Sequence, residues 1–98
     1  MARLDVYDNG ADGYLLDVQT NILYGYNTRI VVPLMPAELA PHPGGRLNPT
    51  FLVEGRPHIM VTQYLGSVPV AALGRAVTNL HDHHDRIVAA IDMIFLGF

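Results

Sequence analysis

Asp82-His83-His84-Asp85-Arg86-Ile87-Val88-Ala89-Ala90-Ile91-Asp92-Met93-Ile94-Phe95-Leu96-Gly97-Phe98 closes the chain, and its apolar spacing decides how the rest must be arranged. Ile87, Val88, Ile91, Ile94, Phe95 and Phe98 recur at intervals of three and four, with no glycine or proline before Gly97. That is the period of an amphipathic helix. Asp82 is the expected N-cap, and Asp85 three residues later resembles a capping box, placing two acids at the positive end of the helix dipole.

Upstream, the pattern is that of short strands. Leu4 to Tyr7 and Tyr14 to Gln19 are apolar or alternating windows joined by Asp8-Asn9-Gly10-Ala11-Asp12-Gly13, whose Asn-Gly marks an antiparallel hairpin. Asn21 to Asn27 reads as a loop, although Ile22, Leu23, Tyr24 and Tyr26 within it are bulky. Thr28 to Leu34 is β-branched and apolar, a central strand expected to end at Pro33. Pro36, Pro41, Pro43 and Pro49 with Gly44-Gly45 make a long surface loop of Met35 to Pro49. Thr50 to Val53 and Pro57 to Gln63 form a second hairpin turning at Glu54-Gly55-Arg56, and Val68-Pro69-Val70 suits an edge strand, because proline cannot donate to a ladder. The expected fold is α+β and mainly β: five or six strands in a small antiparallel sheet or partly open SH3-like barrel, with one C-terminal α-helix, all in a single domain over residues 1–98.

The 98 residues are 50% apolar and only 15% charged, with no cysteine. A folded chain of this size exposes roughly 5,500 Å², and ordinary domains carry about 25% charged residues. So few charges leave apolar surface for a partner to cover. All six basic residues are arginine, scattered without a run, against nine acids for a net charge of −3. Backbone-driven nucleic-acid binding, which grows with the number of cations that displace counterions, is not expected. The N-terminus lacks the apolar stretch of roughly 7–15 residues found in a signal peptide. No window reaches the ~20 apolar residues of a membrane span, and a cytoplasmic location is expected.

Chemistry-bearing motifs are sparse. His81-Asp82-His83-His84-Asp85 offers ligand types, with His81 and Asp85 at i and i+4 of a helix, but His42 and His58 stand alone elsewhere. A metal needs three or four convergent ligands with support behind them, so a solvated helix start is the better reading and no metal or other cofactor is expected. Ser67, the only serine, lies in Gly66-Ser67-Val68-Pro69 without the Gly-x-Ser-x-Gly elbow and reads as a turn or ladder residue. Gly44-Gly45 lies among prolines and is no phosphate loop. No catalytic residue is assigned, and a non-enzyme is expected. The apolar surplus has two addresses instead: the helix end, Ile91 to Phe98, and Ile22-Leu23-Tyr24 in a loop. Apolar patches with aromatic anchors are how binding hot spots are composed.

Asp17-Val18-Gln19 followed by Ile22-Leu23, then Arg29 to Leu34, then Ser67-Val68-Pro69-Val70, then Ala90 to Phe98 resemble, in order and spacing and nearly end to end, the CcdB family of toxins. The resemblance implies a bacterial homodimer of mainly antiparallel β structure with a C-terminal helix, the toxin half of a type II toxin–antitoxin module. Toxins of that family bind the DNA gyrase A subunit and trap its cleaved-DNA complex, and a CcdA antitoxin releases it. Carried over by position, the gyrase-binding set is Ile22, Leu23, Asp92, Phe95, Leu96, Gly97 and Phe98. The resemblance thus points to the same two patches, and a two-fold dimer would present them as one composite surface.

Leu96 departs from the family's best-known member, which has a tryptophan there that stacks on a gyrase arginine. Leucine gives up a cation–π contact of about 0.5–2 kcal/mol. Phe98 replaces a terminal aliphatic residue and Asp92 an asparagine, so Phe98 is expected to restore an aromatic face and Asp92 to offer that arginine a charged acceptor. Two other readings compete. A ribonuclease toxin of the MazF/Kid type would need cations in a groove, for which Arg29 and Arg56 are the only candidates near strands. A non-toxic homologue would keep the dimer and the antitoxin contact alone.

Overall fold

In a computed structural model of the chain, which describes residues 2–10, 12–23, 25–41 and 44–98, one antiparallel sheet curls into a half-barrel and a single C-terminal helix packs on it. The expectations placed on Tyr24, His42 and Pro43 fall outside the described residues. Seven strands appear where five or six were expected: β1 (Asp5–Asp8), β2 (Tyr14–Asp17), β3 (Thr28–Pro36), β4 (Thr50–Val53), β5 (Arg56–Met60), β6 (Gly66–Pro69) and β7 (Ala76–Asn79). The unforeseen one is β7, whose Ala-Val-Thr-Asn carries no apolar alternation because it forms an edge and pairs only with β1. The sheet order is β4-β5-β3-β2-β1-β7, with β6 paired to β3.

β3 organises the fold, and it runs through Pro33 to Pro36 instead of ending at Pro33. The pairing explains why. One edge of β3 holds β6 up to Val31↔Gly66 and holds β5 only from Leu34↔Met60 onward. In the gap between, the Pro33 carbonyl accepts the Val61 amide at 3.0 Å, and no ladder position asks Pro33 for the donor it lacks. The two predicted hairpins form in antiparallel register, β1 with β2 and β4 with β5. In the second, Glu54 and Gly55 hold φ of +50° and +81°, the signs a type I′ turn requires at both central residues. The Tyr14 hydroxyl donates to the Glu54 carboxylate and secures that turn against β2; this bond and burial push the Tyr14 phenol pKa up.

The core gathers Val6, Leu16, Val32, Leu34, Phe51, Val53 and Met60 from the concave face of the sheet, closed by Leu80 and by Ile87 and Ala90 of the helix. That helix, α1 (His84–Leu96), starts one residue later than an N-cap at Asp82 would give, after a 3-10 turn over His81–His83. Asp82 is therefore not its N-cap and Asp85 completes no capping box. His83 occupies the N-cap without a side-chain cap bond, and upstream Asn79 Oδ1 accepts the His81 amide at 2.8 Å while its Nδ2 donates to Asp5 and to the Arg3 carbonyl. Asp85 still sits in the first turn, where the dipole favours an acid. Arg86 fixes the helix start to β4, its guanidinium 4.7 Å from the Phe51 ring centroid and donating to the Thr50 carbonyl at 3.0 Å. Gly97, at φ +81°, ends the helix by donating its amide to the Met93 carbonyl at 3.1 Å.

Candidate partner-binding site

Because Ile87 and Ala90 point inward, with Ile91 against the core edge, the last turn of α1 projects beyond the sheet. Phe95, Leu96 and Phe98 are 66%, 59% and 76% exposed, so the domain's own sheet does not cover them. Asp92 is half-buried on the same helix, and Gly97 is exposed. Ile22, in a 3-10 turn over Asn21–Leu23, is 84% exposed, while Leu23 is half-buried. Bulky apolar groups at such exposure gain nothing within one chain; their energetic return lies in contact with another.

Between the two patches runs an apolar cleft of about 440 Å³. Leu23, Ile30, Leu65, Ile91 and Phe95 are among the residues that line it. The cleft thus joins Leu23 of one patch to Ile91 and Phe95 of the other. Ile22, Asp92, Leu96, Gly97 and Phe98 do not line it.

Beneath the turn lies a buried polar network that the sequence pattern does not announce. Asp17 and Arg29 are shut from solvent, with Arg29 Nη2 2.7 Å and Nε 2.8 Å from Asp17 Oδ2. Burial pushes the Asp17 carboxyl pKa up, while the Arg29 bonds and the Gln19 amide on Oδ1 at 3.0 Å pull the other way. The Gln19 carbonyl accepts Arg29 Nη2 at 3.4 Å. The pattern reads Asp17 as facing away from the core, because it alternates with the core residues Leu16 and Val18, and Arg29 stands out only as a charge at the head of an apolar strand.

The other candidates separate cleanly. The His81-to-Asp85 segment pairs off in exposed twos, His81 with Asp82 at 3.1 Å and His84 with Asp85 at 3.1 Å, and no group of three metal-ligand side chains converges among the described residues. Ser67 is a ladder residue opposite Ile30. Arg29, being buried, faces no RNA groove, and Arg56 is held on the surface by Glu38 at 3.2 Å. Among the described residues no helix is long and apolar enough to cross a membrane.

Fold and site together define a small half-barrel protein with exposed aromatic and aliphatic side chains at one helix end and one turn. The protein-family model described as CcdB protein matches residues 3–97, nearly the whole chain, and the chain belongs to that family. CcdB proteins are toxins of toxin–antitoxin modules directed at DNA gyrase.

Proposed function

We propose that this chain acts, as a single domain over residues 1–98 and as a homodimer in the cytoplasm, by binding the DNA gyrase A subunit and holding it in the complex in which DNA is cut. Ile22, Leu23, Asp92, Phe95, Leu96, Gly97 and Phe98 make the contact, and a CcdA-like antitoxin reverses it. It does so without catalysis, cofactor, metal or direct contact with nucleic acid. The observation that carries this reading is the exposure of Ile22, Phe95, Leu96 and Phe98, with Leu23 and Phe95 of the two patches lining one apolar cleft. A two-fold dimer presents both copies of these residues as one surface, a two-fold surface meeting a two-fold enzyme. Leu96 supplies apolar contact, Phe98 the aromatic face, and Asp92 a carboxylate for an arginine of the partner. Burial of Arg29 counts against the ribonuclease reading.

Light scattering and calorimetric titration test the proposal. The purified protein is expected to have the mass of a dimer and to bind the isolated gyrase A subunit. A monomer, or a dimer with no heat of binding, would contradict it.

A further inference from the structure

Among the described residues, the turn that carries Ile22 and Leu23 is held by few bonds of its own. It spans three residues, none of them buried. Among the described residues its local bonds are the Leu23 amide to the Thr20 carbonyl and the Tyr26 amide to the Leu23 carbonyl, both 3.2 Å, and the Ile22 amide to Thr20 Oγ1 at 3.4 Å. A single turn of this kind fixes several dihedrals for few bonds, so its order must come from outside. One tether is the Arg3 amide, which donates to Asn21 Oδ1 at 2.8 Å.

The other is Gln19. We infer that Gln19 is the positioning residue of this turn, its side chain linking the Leu23 carbonyl to the Ile30 amide and so fixing the turn against β3. Gln19 Nε2 donates to the Leu23 carbonyl at 3.4 Å and Oε1 accepts the Ile30 amide at 3.0 Å, so donor and acceptor are both used on opposite sides of one buried side chain. A buried amide is costly unless it is bonded at both ends, so the side chain has little freedom to point elsewhere. Its backbone is held in turn by Asp17 and Arg29. The buried ion pair thereby acts at the surface: it holds Gln19, and Gln19 holds the turn. The consequence for gyrase rests on the reading of Ile22 and Leu23 given above, whereas the positioning itself does not.

Two variants separate the two ends of the side chain. Gln19→Glu keeps the volume and the acceptor for Ile30 but turns a carboxylate toward the Leu23 carbonyl; Gln19→Met loses both bonds. In Gln19→Glu the backbone order parameters of Ile22 and Leu23 are expected to fall from about 0.85 to below about 0.6. Those of Val32 and Leu34 should not change, and the Ile30 amide should stay protected from exchange. In Gln19→Met that protection should go as well. Affinity for the gyrase A subunit is expected to drop about tenfold in Gln19→Glu, as for one lost hydrogen bond. A turn as ordered as in the parent protein, or a loosening spread evenly over turn and core, would overturn the inference. If the turn loosens while gyrase affinity is unchanged, and Ile22→Arg leaves it unchanged too, positioning stands and the gyrase assignment of the turn fails.

Discussion

Arg29→Met is expected to cost about 3–5 kcal/mol of folding stability, because it strands the Asp17 carboxylate in the interior without its charge partner. The side chains are 1% and 0% exposed, so water cannot take the place of the guanidinium. Against the ~5–15 kcal/mol that holds a domain folded, that loss leaves a substantial unfolded fraction. The same physics predicts partial recovery in the double variant Asp17→Leu/Arg29→Met, which removes both buried charges but leaves the Gln19 amide and carbonyl without those partners. Urea unfolding of the parent, the single variant and the double variant decides it. A single variant within about 1 kcal/mol of the parent would mean that the pair is not the buried, dry contact described.

At the surface the expected pattern is the reverse, with large effects on binding and small ones on folding. Phe95→Ala and Ile22→Arg each remove or spoil an exposed apolar anchor, and at the centre of an interface such residues are worth about 2 kcal/mol or more, roughly a 30-fold loss of gyrase affinity. Their urea midpoints should not move, because neither side chain belongs to the core. Phe98→Ala is expected to weaken binding too if that ring compensates for Leu96; unchanged affinity would remove the compensation idea. Titration of the gyrase A subunit into each variant measures all three.

The elements that determine the fold were legible where one physical requirement acts alone. Apolar spacing from Ile87 to Phe98 marks a helix because one stripe must reach the core. Asn9-Gly10 and Glu54-Gly55 mark hairpins because their backbone needs it. What stayed hidden depends on the neighbours. Pro33 remains within β3 only because β6 stops and β5 starts on either side of it. Asp82 loses the capping position to His83, because a 3-10 turn over His81–His83 precedes the helix. β7 forms because β1 offers it an edge. In the site, exposure of Ile22, Phe95, Leu96 and Phe98 follows from the surplus of apolar residues over charges. The ion pair beneath Gln19 does not, since no local pattern ties Asp17 to a residue twelve positions away.

The most direct measurement is to induce the chain in a gyrase-sensitive bacterium and examine the chromosome and the RNA. Gyrase poisoning predicts linearised DNA covalently linked to the gyrase A subunit, suppressed by co-expression of a CcdA-like antitoxin and by Ile22→Arg. Arrested growth with degraded RNA and intact DNA would contradict it in favour of a ribonuclease. Undisturbed growth of cells that contain folded dimer would contradict it in favour of a homologue that keeps the antitoxin contact without the poison.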